Sequence, residues 1–112
     1  MSAITCHVLD TSLGKPIAGL AVRLARLEAG VFEELGVATT DQDGRVKALL
    51  GARPLALGVY RLSLETGAHY ESLGQTSFYE RVEIQFRVAN ATEHYHVPLL
   101  LSPFGYSTYR GS

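Results

Sequence analysis

The chain has one cysteine, no block of like charge, no long hydrophobic run and no address tag, and each absence narrows what it can be. A lone Cys6 cannot close an intrachain disulfide, so the fold must stand on its own core, and a reducing compartment is open to it. Ten basic and 11 acidic residues are interspersed and leave a net charge of -1, which makes nucleic acid and anionic membrane poor partners. The longest purely aliphatic run is the three leucines after Pro98, far short of the ~20 residues that cross a bilayer. The opening Met-Ser-Ala-Ile-Thr-Cys-His lacks the basic and apolar regions of a secretory signal, and the closing Arg-Gly-Ser is not a Ser-Lys-Leu peroxisomal address. The expectation is a complete, soluble, cytoplasmic protein. No repeat, low-complexity stretch or linker divides residues 1–112, and one domain of that length buries roughly two thirds of its unfolded surface.

What is present is a period of two. Along 81–88, Val82, Ile84, Phe86 and Val88 alternate with Arg81, Glu83, Gln85 and Arg87, as in a strand with one face in a core. Further strands are expected at 4–10, 20–27, 32–39, 45–49, 59–64, 93–101 and 106–110, about eight in all. Turn signals punctuate them: Gly14-Lys15-Pro16, Ala29-Gly30, Asp41-Gln42-Asp43-Gly44 and residues 51–54. Short, evenly punctuated strands indicate an all-β, two-sheet sandwich. Only 66–77 departs from this pattern, and Ala68, Tyr70, Glu71, Leu73 and Gln75 suit a short helix there.

Strand parity sorts the chemistry. Ile4, Cys6 and Val8 share an apolar face, so Thr5 and His7 lie opposite; Tyr95, Val97, Leu99 and Leu101 share another, so His94, His96 and Pro98 lie opposite. His7 and His96 therefore look away from the core, as ordinary surface histidines or as functional ones. His94 and His96 have a spacing that can chelate zinc, with His7 as a third nitrogen, but no Cys, Asp or Glu stands beside them at ligand spacing, and no metal is expected. Asp41-Gln42-Asp43-Gly44-Arg45 begins like a calcium loop, yet Ala52 occupies its twelfth position; a β-turn presenting Arg45 is the better reading. Cys6 is assigned to packing, and no Gly-x-Ser-x-Gly elbow supports serine catalysis. The end of the chain, 103–112, is aromatic and hydroxyl-rich with no trailing polar residues, and reads as an ordered terminus.

These pieces resemble the 5-hydroxyisourate hydrolases, or transthyretin-like proteins, over nearly the whole chain. The resemblance runs through Thr5-Cys6-His7-Val8-Leu9-Asp10, Gly14 to Gly19, Asp43-Gly44-Arg45, His94-Tyr95-His96-Val97-Pro98 with the leucines that follow, and the ending Tyr109-Arg110-Gly111-Ser112. It implies a transthyretin-like sandwich of about eight strands and one short helix, assembled as a homotetramer with sites where dimers meet. It implies a cofactor-independent hydrolase acting on a small molecule, 5-hydroxyisourate, with His7, Arg45, His96 and Ser112 catalytic. Substrate contacts then fall to His7, Arg45, Tyr109, Arg110 and Gly111. The competing expectation is a carrier of an aromatic small molecule in the channel of the tetramer, as in transthyretin, which lacks this ending.

Overall fold

The computed structural model describes residues 3–112, which form nine strands and one helix. The first sheet contains β1 (Ile4–Asp10), β2 (Lys15–Pro16), β5 (Arg45–Val46), β8 (Tyr95–Ser102) and β9 (Gly105–Thr108). Its order is β2-β1-β8-β9, with β5 also paired to β1. The second contains β3 (Ala21–Glu28), β4 (Val31–Thr39), β6 (Gly58–Leu64) and β7 (Val82–Val88), in the order β4-β3-β6-β7. The helix α1 (Thr66–Ser72) joins β6 to β7. The all-β sandwich with one short helix is as expected from the alternation.

The two sheets face each other through the alternating apolar sets. Ile4, Cys6 and Val8 of β1 and Tyr95, Val97, Leu99 and Leu101 of β8 meet Val22 and Leu24 of β3, Tyr60, Leu62 and Leu64 of β6, and Val82 and Val88 of β7. Burying each such side chain is worth about 1.5–3 kcal/mol. Cys6 belongs to this core, and burial pushes its thiol up to about 12, so the thiol is inert at neutral pH.

Most strand boundaries shift by one or two residues from the sequence reading and the helix stops at Ser72; three larger differences have a local reason. Lys15–Pro16, expected as a turn, pairs with Leu9 and Asp10 at the sheet edge, where proline removes no needed donor. The strand expected at 45–49 stops at Val46, because Ala48 to Gly51 turns and tucks Leu49 and Leu50 into the end of the core. The last strand ends at Thr108, so Tyr109 and Arg110 lie beyond it, and Gly111 returns to bridge His96.

Asp10 ties the helix to the first sheet. Its carboxylate accepts the Ser12 amide (2.9 Å) and hydroxyl (2.5 Å), the Leu13 amide (3.3 Å) and the Tyr70 hydroxyl from α1 (3.3 Å). Burial disfavours the charge, but these donors outweigh it and hold the carboxyl below its ordinary value of 3.8. Its stabilising effect is therefore full above that value and fades as pH falls through the lowered one. Asp10→Ala is expected to cost about 1–3 kcal/mol in urea denaturation near neutral pH; an unchanged midpoint would show that the turn and helix hold without it.

Candidate active site

The site is built on the outer face of the first sheet. β1 and β8 run parallel in register, with Thr5 opposite His96 and His7 opposite Pro98, while β5 sets Arg45 opposite His7 on the other side. Side chains of Thr5, His7, Arg45 and His96 thus emerge on the face turned from the core, as parity required.

Arg45 owes its place to the preceding turn. The Asp41 carboxylate accepts the amides of Asp43 and Arg45, both at 2.9 Å, and the Gly44 amide donates to the Asp41 carbonyl at 2.9 Å. Gly44 has φ +74°, and a Cβ there would meet the Val8 carbonyl oxygen at 2.5 Å, so only glycine fits. Asp41 spends its oxygen on its own backbone, which makes the segment a turn presenting Arg45.

The ending lies across β8. The Thr108 hydroxyl donates to the Pro98 carbonyl (2.7 Å), and the Gly111 amide donates to the His96 carbonyl (2.8 Å). A Cβ on Gly111 would meet the His96 ring at 2.7 Å, so the absence of a side chain lets the backbone press on the imidazole. Arg110 crosses the Tyr95 ring at 4.4 Å from its centroid and donates to the Glu93 carboxylate (2.8 Å) and the His94 carbonyl (3.2 Å). It fastens the tail.

A pocket of about 170 Å³ results, lined by Thr5, Cys6, Arg45, Val46, Lys47, His94, His96 and Ser112. Three of the expected catalytic residues, Arg45, His96 and Ser112, therefore meet in one cavity. His7 stands beside it on the same face, close enough to act electrostatically on His96. Tyr109 and Arg110 line an adjoining, more apolar cavity with Ile84, Phe86, Tyr95 and His96. Two polar lining residues were not singled out beforehand. Lys47 follows Arg45 by two residues, so parity could have found it; Thr5 was sorted to the right face, but its partners needed the fold.

The Thr5 hydroxyl lies 2.8 Å from His96 Nδ1 and 3.0 Å from His94 Nε2. The zinc spacing of His94 and His96 is thus answered by a hydroxyl between the rings, and among the described residues no group of three His, Cys, Asp or Glu gathers at metal-binding range. Burial, then the charge of Arg45, then His94 and His7, hold the His96 imidazole below its ordinary 6.5. The downward shift favours the neutral ring at neutral pH, and a neutral imidazole beside a fixed cation suits a base next to an oxyanion binder.

Among the described residues no helix is long and apolar enough to cross a membrane. The HIUase/transthyretin family model matches residues 4–111. The chain is similar to the 5-hydroxyisourate hydrolase of Caulobacter vibrioides, 45% identical with 100% of both chains covered. The solved 5-hydroxyisourate hydrolase of Klebsiella pneumoniae superposes with TM-score 0.85 at 40% identity, covering 97% of this chain and 98% of that one. Sea bream transthyretin in complex with thyroxine superposes with TM-score 0.91 at 30% identity, covering 98% and 95%.

His96 is expected to titrate below 6.5 when followed by histidine ring resonances, and Arg45→Met should raise its midpoint by removing a repelling cation. A midpoint that does not move would place the guanidinium too far away to matter.

Proposed function

We propose that this chain, which belongs to the HIUase/transthyretin family, hydrolyses 5-hydroxyisourate to 2-oxo-4-hydroxy-4-carboxy-5-ureidoimidazoline, a step of urate breakdown. The observation that carries this is the convergence of Arg45, His96 and Ser112 in one pocket, with His7 beside it and the tail bridged to His96. Opening a cyclic amide needs a base for water, a proton for the leaving nitrogen and a donor for the developing oxyanion. His7 and His96 share these duties, one as the base and the other orienting the substrate or passing the proton to the leaving nitrogen. Arg45 holds and polarises the attacked carbonyl, a contact whose loss typically costs about 2.7–4 kcal/mol. Ser112 meets a histidine or the water through its hydroxyl or its terminal carboxylate, while Tyr109 to Gly111 close the pocket. The residues named need no metal for these roles.

The site faces outward, and its use depends on a cover. β7 and β9 are each an edge strand of their sheet, and Ile84, Phe86 and Arg87 of β7 and Thr108 of β9 line one cavity, so these two edges lie on the same side of the sandwich. Phe78, Tyr79 and Tyr106 form an exposed aromatic chain of edge-to-face contacts. These features support assembly as a homotetramer, with the sites where dimers meet. A cytoplasmic setting suits a chain whose single cysteine forms no intrachain disulfide. The carrier reading needs ligand binding without turnover.

Freshly made 5-hydroxyisourate should lose its ultraviolet absorbance faster with the protein, in the presence or absence of EDTA. An unchanged rate would sink the hydrolase reading, and EDTA sensitivity would restore the metal. Removing residues 109–112 should leave folded protein with little turnover, and full activity would take the tail out of the site. His7→Asn and His96→Asn should each slow the reaction by at least ~100-fold if both serve acid-base chemistry; a small effect would reduce that histidine to binding.

A further inference from the structure

We infer that Thr5 and His94 act as a proton relay behind His96, fixing its tautomer and receiving its proton during turnover. The inference rests on the hydrolase reading for its direction and on geometry for its parts. A threonine hydroxyl has one proton to give, yet Thr5 Oγ1 lies within hydrogen-bond distance of two imidazole nitrogens, His96 Nδ1 at 2.8 Å and His94 Nε2 at 3.0 Å. Thr5 is only 5% exposed, which restricts water as a substitute partner, and the two rings stand nearly parallel, 17° apart with centroids at 6.4 Å. The three groups therefore form one chain whose proton positions are coupled.

With Nδ1 committed to Thr5, Nε2 is the His96 nitrogen left for the pocket. For Nε2 to take a proton from water it must carry a lone pair, so Nδ1 bears the hydrogen and donates to Thr5. Thr5 in turn donates to His94 Nε2, and His94 carries its own hydrogen on Nδ1. When water attacks, its oxygen bonds to the carbonyl carbon and its proton goes to His96 Nε2. The Nδ1 proton passes to Thr5 Oγ1, and the Thr5 proton passes to His94 Nε2. The reverse movement returns a proton through His96 to the leaving ring nitrogen as the carbon–nitrogen bond breaks, and all three groups end as they began. Without the relay, proton transfer would leave an imidazolium at half-buried His96, near Arg45 and His7 where charge is disfavoured; with it, the charge rests on exposed His94.

The groups facing His96 are Arg45 and Lys47 from β5 and its extension, His7 and Thr5 from β1, His94 ahead of β8, and Ser112 from the tail. Those facing His94 are Thr5 and the His96 ring, with Arg45, Lys47 and Ser112 lining the same pocket; Arg110, held by the Glu93 carboxylate, reaches only the His94 backbone carbonyl. Both Thr5 and His94 are positioning residues, since they act through His96.

The decisive measurement is long-range proton–nitrogen correlation spectroscopy of the protein labelled with nitrogen-15 in histidine. His96 is expected as the Nδ1–H tautomer at neutral pH, Thr5→Val should shift it toward Nε2–H, and Thr5→Ser should restore it. In parallel, Thr5→Val and His94→Asn should lower kcat by about tenfold or more with KM little changed, part of the ~100-fold or larger effect expected of the base itself. Thr5→Ser should recover most of the rate. An Nε2–H tautomer in the unmodified protein, or a Thr5→Val variant with unaltered tautomer, overturns the relay whatever the substrate. Absence of turnover by the unmodified protein would instead count against the hydrolase reading, leaving the tautomer measurement to decide the hydrogen-bond chain. Unchanged kcat in folded Thr5→Val and His94→Asn overturns the relay's part in catalysis.

Discussion

The parallel pairing of β1 with β8 is the constraint on which the rest depends. Seven residue pairs, from Ile4 with Tyr95 to Asp10 with Leu101, fix the register. In a pleated sheet a slip of one residue in β1 would turn Cys6 outward and bury His7, and the same slip in β8 would do so to Val97 and His96. The core is what prevents that slip: Ile4, Val8, Leu99 and Leu101 are almost completely buried, and exposing them would forfeit several kcal/mol. The same apolar alternation that makes the sandwich stable therefore places Thr5 against His96. Stability and site geometry are set by one register.

Much of this was legible because it depends on local alternation. The period of two in 4–10, 82–88 and 95–102 placed core and outer faces correctly, and it removed Cys6 from consideration as a nucleophile despite its adjacency to His7. What escaped depended on long-range partners. Lys15-Pro16 carries turn residues, and becomes a strand only because Leu9 and Asp10 offer an edge. The apolar run after Arg45 looked like a continued strand, but Leu49 and Leu50 are needed to plug the core's end. Thr5 bonds to residues 89 and 91 positions away, a separation at which no local pattern carries a signal.

Backbone similarity does not by itself separate a hydrolase from a thyroxine-binding transthyretin, since both kinds of structure superpose on this chain. The distinction has to come from side chains. A carrier site for an aromatic ligand asks for apolar surface with a few fixed polar groups. The pocket here gathers Arg45, Lys47, His94 and His96, and its depth includes a hydroxyl that joins two imidazoles. That arrangement is chemically suited to charge development and proton movement.

The position of the tail depends on the histidine it approaches. Gly111 bridges the His96 backbone and touches its ring edge, so the imidazole is held on one nitrogen by Thr5 and along its carbon edge by the tail. A ring restrained at both places has one orientation in which Nε2 is offered to the pocket. Arg110 contributes from outside, on an exposed ion pair with Glu93 that alone would stabilise little, yet its second bond to the His94 carbonyl and its stacking on Tyr95 draw the tail onto the same strand. The ending Tyr109-Arg110-Gly111-Ser112 thus reads as a clamp: the arginine fastens it, the glycine permits close approach, and the serine is delivered to the cavity wall.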